Sequence, residues 1–188
     1  YGNGSASYPL REIQPAIQLA ASGNTVYVAP GTYTENVLLE GKDLAILSTG
    51  NRDNTIIDAN GSGSPMTFGY NQGNYITSAT VLKGFTLKNG GGSGGYGIYC
   101  YFSSPTLVDL DIKDNINTGT GYEGYGGGMR IYQNAHPTLV SVQVTGNTGS
   151  YGGGIGLHSN SSLAMTNVTV AGNTANNYGG GLYCDDNV

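Results

Sequence analysis

The stretch Pro105-Thr-Leu-Val-Asp-Leu-Asp-Ile-Lys-Asp-Asn115 decides the fold, because the chain repeats its pattern twice. It aligns with Pro137-Thr-Leu-Val-Ser-Val-Gln-Val-Thr-Gly-Asn147, and again with Leu163-Ala-Met-Thr-Asn-Val-Thr-Val-Ala-Gly-Asn173. In each copy apolar and polar residues alternate, as at Leu110/Ile112, Val142/Val144 and Val168/Val170. A period of two is a strand with one buried face. Between the copies lie glycine-led strands, Gly97-Ile-Tyr-Cys100, Gly128-Met-Arg-Ile131, Gly154-Ile-Gly-Leu157 and Gly181-Leu-Tyr-Cys184. Their glycines are 31, 26 and 27 residues apart, with the excess in Gly/Asn/Thr loops such as 116–127.

A unit this short cannot bury its inner face alone, whereas units stacked about 4.8 Å apart can. A β-sandwich of hairpins would not return equivalent residues at one-coil intervals. The expected fold is all-β: a right-handed parallel β-helix, a solenoid with coils of about 26–31 residues and a short N-terminal capping helix. Residues 1–188 then form one domain, with a capping segment at 1–24, less regular early coils at 25–93 and the repeat coils at 94–188.

Two columns accompany the stacking. Asn115, Asn147 and Asn173 follow equivalent strands, where their amides can hydrogen-bond along the axis. Tyr125, Tyr151 and Tyr178 each precede three glycines, which permit a sharp corner, and the rings are expected to stack as a ladder. Near the N-terminus, Leu10, Ile13, Ile17 and Ala20 have helical spacing, with Pro15 in the first turn. This helix should cover the open end of the first coil, formed by Thr25-Val-Tyr-Val-Ala-Pro-Gly-Thr-Tyr33. Further strands are expected at 37–40, 44–48, 55–59, 66–70 and 80–88. The last residues, Gly181 to Val188, stop partway into a coil without a cap. The expectation there is a continuing chain or a head-to-tail neighbour, whose repetition would build a filament.

The N-terminal pattern from Ile13 to Tyr33 resembles the capping segment of pectin-lyase-like right-handed β-helices. The stretch Gly84-Phe-Thr-Leu-Lys-Asn-Gly90, the Gly-Gly-Gly strands and the Gly-Asn-Thr turns are similar to repeats of bacterial surface β-helices, including the polymorphic outer-membrane type. The resemblance implies secretion and display at the cell surface. It joins polysaccharide lyases, esterases and hydrolases with non-enzymatic adhesins, so fold alone does not select an activity.

Composition narrows the classes. Glycine supplies 33 of 188 residues, and charged residues only 10% against a usual share near 25%. The surface must be built from Asn, Ser, Thr, Gln and Tyr, a palette of secreted solenoids. A net charge of −5 with seven basic residues argues against nucleic acid, and no apolar run is long enough for membrane insertion. The chain starts at Tyr1, which reads as a processed or trimmed N-terminus. Sequons begin at Asn3, Asn60, Asn160 and Asn167.

No catalytic constellation, metal site or cofactor motif emerges. Asp109 and Asp111 share an expected strand with Lys113, and their stacked neighbours are Ser141/Gln143 and Asn167/Thr169, so they read as a solvated surface pair. His136 sits in a turn before Pro137, and His158 lies on an expected strand with no Ser or Cys forced close to it. Cys100 and Cys184 fall in one column three coils apart, about 14 Å, too far for a disulfide. With Ile98/Cys100, Met129/Ile131, Ile155/Leu157 and Leu182/Cys184 inward, the outward set is Tyr99, Tyr101, Arg130, Tyr132, His158, Tyr183 and Asp185. Rings beside an arginine suit sugar rings or a protein partner. The function expected is a non-enzymatic extracellular structural or adhesive solenoid. Its partners are other copies or a continuation of itself, or a polysaccharide bound or degraded at the tyrosine face.

Overall fold

In the computed structural model, residues 2–5, 7–69, 73 and 75–185 are described. The helix α1 (Ile13–Leu19) precedes β1 (Thr25–Val28), β2 (Gly31–Tyr33) and β3 (Val37–Leu39) of the first coil. The second coil holds β4 (Ala45–Ser48), β5 (Thr55–Asp58) and β6 (Met66–Phe68). The third adds a short strand, giving β7 (Val81–Lys83), β8 (Thr86–Lys88), β9 (Gly91–Gly92) and β10 (Ile98–Tyr101). The fourth is β11 (Thr106–Val108), β12 (Asp111–Lys113), β13 (Ile116–Asn117) and β14 (Met129–Tyr132). The fifth is β15 (Thr138–Val140), β16 (Gln143–Thr145), β17 (Thr148–Tyr151) and β18 (Ile155–His158). The sixth is β19 (Ala164–Thr166), β20 (Thr169–Ala171), β21 (Thr174–Tyr178) and β22 (Leu182–Cys184).

Corresponding strands of successive coils pair in parallel. The first sheet is β1-β4-β7-β11-β15-β19, the second β2-β5-β8-β12-β16-β20, the third β3-β6-β10-β14-β18-β22, and a small fourth β9-β13-β17-β21. The chain is a parallel β-helix.

Inward residues, one or two per strand, fill the interior. Leu82, Leu107 and Leu139 come from the first sheet, Leu87, Ile112 and Val144 from the second, and Phe68, Cys100, Ile131 and Leu157 from the third, all buried. Each fully buried side chain of this size stabilises by about 1.5–3 kcal/mol. In the sixth coil the equivalent Met165 and Leu182 are 48% and 40% exposed, and Cys184 is exposed too, since none of the described residues forms a coil over them. Residues 186–188, the end of the expected repeat region, lie outside the described residues.

The corner between the first and second sheets corrects two expectations. Gly84, Asp109, Ser141 and Asn167 occupy it in successive coils, with φ of 84°, 52°, 57° and 54°. Left-handed backbone ends a strand, so 80–88 is two strands rather than one. For the same reason Asp109 and Asp111 do not share a strand. Asp109 Oδ1 lies 3.6 Å from Arg52 Nε, and Asp111 Oδ2 lies 3.1 Å from Lys113 Nζ. Arg52 also donates to Leu110 O and Ser141 O at 3.3 and 3.2 Å, strapping a second-coil loop across the fourth and fifth coils. In the expected strand 66–70, pairing ends at Phe68, and Tyr70 lies outside the described residues.

The asparagine column is a hydrogen-bonded ladder. Asn115 Nδ2 donates to Asn147 Oδ1 at 2.8 Å, and Asn147 Nδ2 to Asn173 Oδ1 at 3.0 Å. The same oxygens accept the backbone N–H groups of Asn115 and Asn147. Each amide also donates back to a carbonyl, Leu87, Ile112 and Val144 in turn.

At the N-terminal end, Ile13 and Ile17 bury one face of α1 against the first coil. Glu35 accepts the N–H groups of Ile13 and Gln14 at 2.7 and 2.9 Å, while Lys42 Nζ donates to Ala20 O at 2.6 Å. Both helix ends are thus satisfied by groups of opposite charge to the local dipole. The Gln14 side chain bonds both Leu38 N and Leu38 O, occupying the edge of β3.

Candidate functional site

The third sheet places Ile98/Cys100, Met129/Ile131 and Ile155/Leu157 inward, which turns their alternates outward. Its registers align Tyr99 with Arg130, Gly156 and Tyr183, and Tyr101 with Tyr132 and His158. Rings line up along the axis. Centroid distances are 5.5 Å for Tyr101–Tyr132, 4.2 Å for Tyr132–His158 and 4.3 Å for His158–Tyr125. The tyrosine column continues the strip, with Tyr125–Tyr151 at 5.1 Å and Tyr151–Tyr178 at 6.1 Å. At the other end, Phe102 joins Tyr101 at 4.8 Å and Tyr75 at 5.7 Å.

Two members of the outward set are not at the surface. Arg130 is 7% exposed and His158 only 1%. The Arg130 guanidinium sits 4.7, 5.3 and 5.4 Å from the ring centroids of Tyr132, Tyr99 and Tyr96. Its Nη1 donates to Tyr96 Oη at 2.6 Å and its Nε to His158 Nε2 at 3.2 Å. No carboxylate among the described residues lies within 4.0 Å of it. Cation–π attraction and two hydrogen bonds compensate the buried charge instead. Tyr96, Tyr122 and Tyr125 arrive from the loops before β10, β14 and the 3₁₀ turn region and help cover this pair. Tyr99, Tyr101, Tyr132 and Tyr183 remain half-exposed.

Because His158 Nε2 accepts from Arg130, the ring is neutral with its proton on Nδ1. Burial first, and then the Arg130 charge, push its pKa from 6.5 to about 4, with Asp185 opposing. Between these values the unfolded chain binds a proton that the folded one refuses. Stability from this group is therefore complete above pH 6.5 and lost as the pH falls toward 4. The expected loss is up to about 3 kcal/mol. Asp43 and Asp58 lose stability in acid as well: burial raises their pKa, but hydrogen bonds from Thr77 and Thr80, and from Asn89, Asn60 and Lys88, outweigh it and hold them low. Urea midpoints of the native chain and His158→Gln at pH 7 and pH 4 isolate the histidine, since the carboxylates act in both. An equal acid loss in the two proteins would rule out the histidine contribution.

A groove of about 630 Å³ adjoins the strip at the corner leading to the first sheet, lined by Tyr75, Phe102, Ser104, Asn134 and His136. Phe102 is held there at φ 48°, an unusual conformation for a bulky residue. His136 Nδ1 lies 2.8 Å from Ser162 Oγ, and Ser159 Oγ lies 3.3 Å from His158 Nδ1. Stacking brings Ser162 of the next coil to His136, whereas Ser159 reaches His158 as its chain neighbour at the strand end, contrary to the expectation for His158. His136 Nε2 makes no hydrogen bond among the described residues that would orient it as a base. Sequence reasoning also missed Tyr75, Phe102 and Tyr122 as parts of the aromatic surface, and Tyr96 as the buried ring over Arg130. Their single signal was aromatic residues among glycine- and serine-rich loops.

Among the described residues, no group of three His, Cys, Asp or Glu could hold a metal ion, and no helix is long and apolar enough to cross a membrane. Compared with known proteins, the chain matches no family model and no curated sequence.

Proposed function

We propose that the chain is a non-enzymatic extracellular scaffold that adheres to saccharide through the aromatic face of its third sheet. The observation that carries this reading is the strip of half-exposed tyrosines braced from beneath by buried Arg130 and His158. A tyrosine offers a flat apolar face to the C–H side of a pyranose and a hydroxyl to its rim. Rings fixed before binding lose little entropy on contact, which favours adhesion by many weak sites. The coil spacing of about 4.8 Å is near the length of one sugar unit, so an extended glycan can run along the axis. Asp109, Asp111 and His158 support a non-catalytic reading, since each is engaged in an ion pair or a buried stack. Secretion accords with the Asn/Ser/Thr/Tyr surface and with the resemblance to surface β-helices.

Glycan-array binding by the native chain and by Tyr101→Ala/Tyr183→Ala tests the proposal. Neither ring touches Arg130, so the melting temperature should hold while binding falls at least about tenfold, or 1.4 kcal/mol. Undiminished binding by a folded double variant would remove this face from consideration. Absence of any glycan ligand would remove the saccharide.

A further inference from the structure

The tyrosine ladder passes from the interior to the surface. Tyr125 is 7% exposed, Tyr151 is half-buried and Tyr178 is 66% exposed. Neighbouring rings in this series are inclined by only 29° in both pairs. Tyr122, 71% exposed, stacks on Tyr125 from another side at 6.4 Å. Electronic coupling decays steeply with distance, so rings this close exchange an electron readily. Two solvent-facing phenols are thereby connected to one buried phenol.

The buried phenol has a base in place. Tyr125 Oη donates to Asp185 Oδ2 at 2.8 Å. An oxidised phenol is a strong acid, and a buried one can lose an electron at low cost only if its proton has an acceptor. Burial, then Asp185, raises the Tyr125 pKa, so the phenol keeps its proton until it is oxidised. On the other flank of the strip, Arg130 lies within 5.4 Å of Tyr96, Tyr99 and Tyr132 and opposes positive charge on those rings. Oxidation is steered away from Arg130 and toward Tyr125.

We propose that Tyr125 is a redox site that collects oxidising equivalents from Tyr178 and Tyr122 and holds them as a neutral tyrosyl radical, with its proton on Asp185. The co-reactant is a soluble one-electron oxidant. It takes an electron from Tyr178, whose phenolic proton passes to water. The Tyr178 radical then regains an electron from Tyr125 through Tyr151, and a proton from water. Tyr125 gives its own proton to Asp185. In total one electron leaves the protein and no proton does, because the proton of Tyr125 stays on Asp185, which becomes neutral.

Flash photo-oxidation with ruthenium tris-bipyridine and persulfate, followed by freeze-quench electron paramagnetic resonance, tests this. The native chain should give a persistent tyrosyl signal that Tyr125→Phe removes and whose lifetime Asp185→Asn shortens at least tenfold. Tyr151→Leu should lower the yield at position 125, read by mass spectrometry of spin-trap adducts. A folded Tyr125→Phe with native yield and decay, or adducts in the native chain confined to Tyr122 and Tyr178, would overturn the proposal. Should Tyr125→Phe fail to fold, Asp185→Asn preserves the ring stack and decides alone: a native lifetime counts against the site.

Discussion

Gly126→Ala is expected to cost about 4 kcal/mol or more, enough to leave most of the chain unfolded if its stability is typical. A Cβ at this position would stand 1.9 Å from Met129 O and 2.5 Å from its carbonyl carbon. Both are backbone atoms at the start of β14, paired on either side with β10 and β18, so they cannot withdraw without breaking ladder bonds. The residue also has φ 70°, which by itself costs an alanine about 1–2 kcal/mol. Gly172→Ala separates the two effects. Gly172 has φ 64° but nothing within 4 Å of its Cβ direction, so only the backbone cost applies. Urea denaturation of both variants is the measurement. Equal losses would mean that crowding at the Tyr-Gly-Gly-Gly corner is relieved by movement.

Asn147→Ala carries the second large effect, about 3–5 kcal/mol. Asn147 is fully buried, and its Oδ1 accepts both the backbone N–H and the amide of Asn115. Its own amide donates to Ile112 O at 2.9 Å. Removing the side chain strands two donors and one acceptor inside the solenoid, at about 1–3 kcal/mol for each unsatisfied group. Asn115 Nδ2 retains Leu87 O at 3.3 Å, which keeps the sum below the maximum. Asn173→Ala should cost clearly less, because Asn173 is half-buried and water can replace its amide. Chemical denaturation midpoints of the two variants decide the matter. A loss at Asn173 equal to that at Asn147 would show that burial does not set the ladder's strength.

These two positions also show how much was legible beforehand. Recurrence of Asn115, Asn147 and Asn173 announced stacking, since only a coil returns one residue type to one place. Recurrence of Tyr-Gly-Gly-Gly announced a sharp corner, while the structure alone placed the positive φ on the first glycine, Gly126, Gly152 and Gly179 in turn. The corners between the first and second sheets were hidden, because Gly, Asp, Ser and Asn share the left-handed position and no single residue type marks it. That is why 80–88 read as one strand and Asp109 as a strand neighbour of Asp111.

For the candidate site, alternation along Gly97–Cys100 and its repeats was enough to separate the residues facing the core from those facing outward. It could not reveal that Arg130 and His158 lie beneath other side chains. Burial of an outward residue depends on loops from other coils, and Tyr96, Tyr122 and Tyr125 reach the pair from loops of variable length with no periodic signature. Alternation and the coil-length repeat determined the parallel β-helix, its interior and its ladders. The depth of each outward side chain, and the proton carried by Tyr125 toward Asp185 at 2.8 Å, were decided only by tertiary structure. Periodicity encodes direction relative to a sheet, whereas cover and contact belong to residues far apart in the chain.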